Sequence, residues 1–224
     1  MFKKFDSSND VSTSTPVKSS IQRALKSQLQ EQHPLITDDI LEVLIPKKSS
    51  LIQYKVTSHL MLYCQRIEHD DHRVPSDIPI LFQHRDGPIL PTLKWIHPFC
   101  YDTFQENESH HANDNDASPS STTFPPPPSA VPFTYVQVDA GAIPYLLGGA
   151  NIMCPGLTKP NGSSYMPPDD HEQDRPGLSK GQGVVIYAEQ KRYPLAVGVM
   201  TMSSLEMYVV ADMSVDSLHS HLCV

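Results

Sequence analysis

The segment GGANIMCPGL, residues 148–157, places two glycines, the amide of Asn151, the thiol of Cys154 and a Pro-Gly turn side by side. A cysteine nucleophile needs a neighbouring base, usually histidine, and surroundings that lower its pKa. Cys154 follows Ile152 and Met153, whose apolar side chains would raise the pKa, and no signature of a catalytic cysteine surrounds it. It reads as a small buried thiol. At the C-terminus, His219, His221 and Cys223 alternate, and on a strand they would share one face as zinc ligands. No fourth donor accompanies them, so no metal and no cofactor are assigned. His110-His111, Asp70-Asp71 and Asp169-Asp170 lie in polar stretches and read as solvated groups.

GGAN is not a phosphate loop. The chain has no GxxxxGK[ST], and no GxGxxG follows a strand. What the glycines offer is access. Without a Cβ, the backbone can meet a partner closely, and RNA phosphates or base edges are one such partner. The same pair also suits a helix C-cap, with Gly148 or Gly149 at positive φ. The two roles are compatible.

These residues need elements to hold them. Ile21, Leu25 and Leu29 recur at spacing four and predict a helix over 19–32, with Ser19 and Gln22 as a capping box and Pro34 as its stop. Thr37 predicts the N-cap of a second helix. Asp38 and Asp39 fall in its first turn, its apolar face is Ile40, Leu41, Leu44 and Ile45, and Pro46 ends it. Residues 51–67 and 78–82 read as strands, and 90–99 as a short helix around Trp95. Together, 1–101 reads as an N-terminal α/β domain.

Residues 102–132 change character. They hold five acidic residues, no Lys or Arg, and the run Pro125–Pro128. This composition predicts a disordered linker or insert ending in a stiff polyproline spacer. Deleting 104–130 is expected to leave the melting temperature almost unchanged. From 133 the pattern turns β-rich: FTYVQVD as a strand, AGAIPYLLG as a short helix, ANIMC as a strand, then two strands around a turn near Glu189–Arg192. Residues 159–181 read as a second Pro-rich insert. Short strands with one small helix suggest a small barrel, so the expected class is α+β.

The chain has 224 residues and a formal charge of −8. The acidity sits largely in the first insert. Residues 1–65 carry eight Lys or Arg against six Asp or Glu, so the average charge does not exclude a nucleic-acid partner. Cys64, Cys100, Cys154 and Cys223 form no CxxC and are expected as reduced thiols. MFKKFDSSND lacks the apolar core of a signal peptide, and no apolar run approaches a membrane span, so a soluble cytoplasmic chain without membrane association is expected.

Four blocks carry a resemblance: MFKKF, IPKKSSL with RDGPILPTLKWIHPF, AGAIPYLLGGANIMCPGLT, and AVGVMTMSSLEM. In this order they resemble the malignant T-cell amplified sequence family, over about two-thirds of the chain. The resemblance implies an N-terminal α/β domain followed by an RNA-binding PUA pseudo-barrel over 133–224. It implies a non-catalytic translation factor on the small ribosomal subunit, acting in recycling of post-termination complexes and re-initiation. Its implied partners are small-subunit RNA, tRNA near the P site, and a density-regulated protein homologue. Carried onto this sequence, the RNA-facing positions are Gly148, Gly149, Ala150 and Asn151, with Pro155 and Gly156 shaping the far end of the loop. Lys47, Lys48, Arg85 and Lys94 are the candidates for rRNA phosphate. Two features depart from the family pattern: Pro144 stands where a basic residue is usual, and 208–224 does not resemble its barrel-closing strands. Two other classes remain open on the residues alone. One is a protein associated with RNA modification, which would need a catalytic Asp or Cys motif in 1–101. The other is an interaction adaptor without RNA binding.

Overall fold

The computed structural model describes residues 7–47, 49–56, 59–67, 76–97, 132–153, 157, 177–189, 191 and 193–207. Most of the 102–132 insert, residues 208–224, and Lys48, Cys154, Pro155, Gly156, His110, His111, His219, His221, Cys223 and the two Asp pairs lie outside them.

The first elements run α1 (Ser7–Asp10), β1 (Val11–Pro16), α2 (Ser19–Gln32), α3 (Asp38–Leu44), β2 (Ser50–Val56), β3 (Leu60–Ile67), β4 (Ser76–His84), β5 (Ile89–Pro91) and α4 (93–97). The five strands form one sheet in chain order, each antiparallel to the next. Register sets Gln53 opposite Tyr63 and Tyr63 opposite Leu81, so Leu51, Tyr63 and Leu81 share a face. That face joins Leu25 and Leu29 of α2 and Leu41 and Leu44 of α3 in one core.

Both helices form where the periodicity placed them. Thr37 Oγ1 accepts from the Ile40 N–H at 3.5 Å, and Leu41 and Leu44 are buried. The capping box of α2 does not form. Lys18 occupies the N-cap, Ser19 is already helical, and Gln22 Nε2 instead donates to the Val17 carbonyl at 3.1 Å. Ile21 is exposed, because only the later turns of α2 lie on the sheet. The 90–99 helix is shorter than expected. Ile89–Pro91 pairs with β4 as a strand, and Thr92 turns the chain, its Oγ1 donating to the Pro79 carbonyl at 2.9 Å.

The second part holds β6 (Tyr135–Val138), a 3₁₀ turn (Ala140–Ala142), α5 (Ile143–Leu147), β7 (Gly183–Ala188) and β8 (Ala196–Val199). β7 is central, parallel to β6 and antiparallel to β8. The expected ANIMC strand is absent in its described part: Asn151 and Ile152 are irregular and Met153 makes a single bridge. The second insert also ends earlier than expected. Leu178 is fully buried, and its N–H donates to Ser204 Oγ at 3.1 Å.

β7 decides how the two parts meet. All six of its residues are buried, so both faces are covered. Val184, Ile186 and Ala188 join Val136, Val138, Leu157, Leu178, Met200 and Met207 in the core of the second part. Val185 and Tyr187, on the opposite face, join the core of the first part together with Phe133. Gly183 begins that face. A Cβ there would lie 2.5 Å from Leu90 Cδ2 and 3.0 Å from His33 Cε1, so only glycine fits without a shift. Phe133 meets His33 and Trp95 edge-on at 5.0 and 5.7 Å between ring centres, and His97 packs on Tyr193 at 5.0 Å.

Candidate nucleic-acid interface

The loop at 148–151 is built by the helix before it. Asp139 starts the turn, its carboxylate accepting from the Gly141 N–H at 2.6 Å. A Cβ on Gly141 would press on that carboxylate at 2.8 Å. Pro144 falls in the first turn of α5, where a missing N–H costs nothing. Ile143 and Leu146 pack on the core of the second part, which leaves Tyr145 71% exposed and Leu147 half exposed.

α5 ends in a Schellman motif. The Gly148 N–H donates to the Pro144 carbonyl at 3.0 Å, that of Gly149 to Leu146 at 2.9 Å, and that of Ala150 to Tyr145 at 3.0 Å. Gly149 supplies the left-handed residue this requires, at φ +84°. Its backbone faces open space, since a Cβ there would meet nothing within 4 Å.

The cap changes what the loop can offer. Its three N–H groups are spent on the helix end, so they do not await a phosphate. The loop presents an open Cα surface at Gly149, the exposed Asn151 amide, and the exposed Tyr145, Leu147 and Met153 side chains. Ile152, fully buried, anchors it. Such a surface suits stacking and base-edge contacts better than backbone capture of an anion. Tyr145 is the residue sequence reasoning missed. Its signal was there: within AIPYLL, the packed residues Ile143 and Leu146 sit three apart, and Tyr145 falls off that stripe.

The basic candidates sit on three separate elements. Lys47, just past α3, has its Nζ 4.0 Å from Glu42 Oε2, and its N–H donates to Glu42 Oε1 at 3.1 Å. Glu42 also meets Lys26 at 3.4 Å. The Lys47 N–H, followed by the two lysine charges, holds the exposed Glu42 carboxyl below its usual range. Lys47 is thus partly committed to an acid. Lys94 is exposed on α4, and Arg85 is exposed in the β4–β5 turn.

Other titratable groups have structural surroundings. Cys64 is buried in β3, and burial followed by the Asp77 charge pushes its thiol up to about 11, so it is not a thiolate at neutral pH. Asp77 accepts from Arg66 Nε and Nη2, each at 2.9 Å, and from the Tyr54 hydroxyl. The Arg66 hydrogen bonds hold its carboxyl below the usual range. This clasp ties β2, β3 and β4 together. Among the described residues, no three His, Cys, Asp or Glu side chains converge as metal ligands, and no helix is long and apolar enough to cross a membrane.

Residues 5–99 match the Pre-PUA-like domain family, and residues 134–221 match the PUA domain of eIF2D. Translation machinery-associated protein 20 of Schizosaccharomyces pombe is 39% identical over 207 residues, covering 92% of this chain and 86% of the relative. The malignant T-cell-amplified sequence 1 homolog of Drosophila melanogaster is 32% identical over the same shares. Human malignant T-cell-amplified sequence 2 is 31% identical over 98% of this chain and 93% of its own. A hypothetical protein of Pyrococcus horikoshii superposes with a TM-score of 0.51 at 18% identity, over 87% of this chain and 86% of that one. A PUA-domain protein of Aeropyrum pernix gives 0.50 at 16%, over 94% and 83%. Together with the two family matches, those likenesses establish the fold, an α+β arrangement with a PUA domain second.

Proposed function

This chain belongs to the malignant T-cell-amplified sequence and translation machinery-associated protein 20 family, and from that premise we propose that it is an RNA-binding translation factor of the small ribosomal subunit. It acts in recycling of post-termination complexes and in re-initiation, handling tRNA near the P site together with a density-regulated protein homologue. It works in the cytoplasm, by binding rather than by catalysis. The PUA match over 134–221 carries the reading, because the open loop at Gly149 lies inside it. Two further observations support it. The exposed Tyr145 ring on α5 and the exposed Asn151 amide after the cap are groups of the kinds that suit unstacked bases. The relatives' own names place them with the translation machinery.

Cosedimentation with purified small ribosomal subunits tests the reading, and the full chain is expected to travel with them. Gly149→Glu sets a carboxylate where RNA would approach, and like-charge repulsion is expected to weaken binding about tenfold or more. Gly149→Ala carries the same positive-φ strain without the charge and is the control. If both variants lose binding equally, the loss is one of folding. A full chain that never cosediments would leave an adaptor role and sink the proposal.

A further inference from the structure

β1 lies at an edge of the first sheet without an apolar anchor. Ser12 to Pro16 are all exposed, and no residue of β1 belongs to either core. The ladder to β2 holds it, and two serines add to that hold. Ser12 Oγ donates to the Lys55 carbonyl at 2.8 Å, and the Ser14 hydroxyl bonds the Tyr54 phenol. Among the described residues, the hydroxyls of Thr13 and Thr15 have no hydrogen-bond partner. Of these two, only Thr15 precedes a proline. Two Ser/Thr-Pro steps occur in the whole chain, Thr15-Pro16 and Ser118-Pro119, and the second lies outside the described residues.

Pro16 fits its place in the ladder. The Val17 N–H donates to the Leu51 carbonyl at 2.9 Å, and the register continues with Pro16 opposite Ile52 and Thr15 opposite Gln53. Bonded pairs alternate in an antiparallel ladder, so position 16 turns its nitrogen outward. A proline there costs the sheet no bond. It also denies the outer edge a donor, which blunts pairing with a further strand. Pro16 keeps Thr15 extended as well. The edge is thus open to a groove that takes an extended segment, and closed to simple strand addition.

We propose that Thr15 is a phosphorylation site for a proline-directed protein kinase, and that Lys55 holds the phosphate against β2. The Thr15 hydroxyl oxygen attacks the γ-phosphorus of ATP, the bond to the β,γ-bridging oxygen breaks, ADP leaves, and the hydroxyl proton passes to the kinase's catalytic base. A kinase groove with no acceptor facing the next residue selects proline, because any other residue would bury an unpaired N–H there. An edge strand that no core residue anchors opens locally, which lets the segment enter that groove. Thr13 and Thr15 share a face with Lys55 and Gln53, so Lys55 is the diagonal neighbour of Thr15, within reach of a long side chain. The phosphate brings about −1.5 to −2 of charge to a strand that carries no charged side chain. The inference is independent of the RNA-binding reading.

The test uses the full chain carrying Ser118→Ala, which removes the other Ser/Thr-Pro step. It is incubated with a purified proline-directed kinase and ATP, and the product is mapped by mass spectrometry. Phosphate on Thr15 is the expected result. Adding Thr15→Ala should abolish incorporation. Pro16→Ala keeps the hydroxyl and should slow transfer about tenfold or more. Both positions are exposed, so both variants should keep the parental melting temperature, which separates a lost site from a lost fold. Phosphorus NMR then reads the environment of the phosphate. Its second pKa should lie below about 6 and should rise in Lys55→Gln, since the ammonium favours the dianion. No incorporation into the folded chain, phosphate on Ser12, Thr13 or Ser14 instead, or an unchanged rate in Pro16→Ala would overturn Thr15 as the acceptor. A second pKa that Lys55→Gln does not move would overturn the contact with Lys55.

Discussion

Phe133→Ala is expected to destabilise the protein by about 3–5 kcal/mol, the range for emptying a large aromatic site in a core. The ring is 1% exposed and belongs to the core that Val185 and Tyr187 of β7 share with α2, α3 and the first sheet. Its edge-on contacts with His33 and Trp95 each add about 0.5–1.5 kcal/mol beyond burial. In a chain of this size the melting temperature should fall by roughly 6–20 °C. The substitution sits where the two parts meet, so its effect also reports on their coupling. A parent that melts in one transition should give a variant that melts earlier and over a broader range. Denaturant unfolding followed at Trp95 measures this directly, because that indole is the only tryptophan in the chain and touches the mutated ring. A loss under 1 kcal/mol would mean that β7 does not join the two cores.

The second large effect is on pH dependence. His33 is 2% exposed, and its Nε2–H donates to the Ile89 carbonyl at 2.8 Å. Nδ1 is buried without a partner among the described residues. Phe133 packs on the imidazole in a T-shaped contact, and Gly183 leaves the space it occupies. A neutral ring fits this site and a cation does not. Desolvation therefore lowers the pKa below 6.5, and the Ile89 carbonyl only partly opposes it. The unfolded chain takes up this proton near pH 6.5, whereas the folded chain does so only at lower pH. Between those values the unfolded state binds more protons, so stability falls as pH falls from about 6.5. The slope approaches about 1.4 kcal/mol per pH unit. His33→Gln retains an N–H for the carbonyl but does not titrate. Its unfolding free energy should lose less than the parent's between pH 7 and 5, the other ten histidines being common to both. Parallel profiles would assign the pH dependence elsewhere.

Both effects centre on a junction that local sequence does not mark. His33 follows a helix and precedes Pro34, and nothing near it announces burial against residues a hundred positions away. Its signal comes from the partner side, as a glycine opening an apolar run at Gly183. A continuous run such as GVVIYA says that a strand is covered on both faces. It does not say by what.

What the amino-acid sequence determined by itself is whatever depends on neighbours along the chain. Spacing of four placed α2, the Thr37 hydroxyl set the start of α3, and richness in β-branched and aromatic residues placed β2, β3 and β7. Two consecutive glycines after an apolar turn specified the helix end in which Gly149 takes φ +84°. Four short blocks in order were enough to point to the family that the comparisons then established. What only the tertiary structure decided depends on distant partners. VSTSTP became a strand because β2 offers it an edge, not because of any apolar pattern. Ile89–Pro91 became a strand because β4 lies beside it. The N–H groups of the glycine loop turned out to be spent on the helix cap, and two turns far apart in sequence brought His59 and Arg85 into hydrogen-bond contact. The physical reason is common to all of these. Helix periodicity and turn chemistry are settled within a few residues, whereas strand pairing, burial of a polar ring and the gathering of charges depend on which distant surfaces the folded chain brings together.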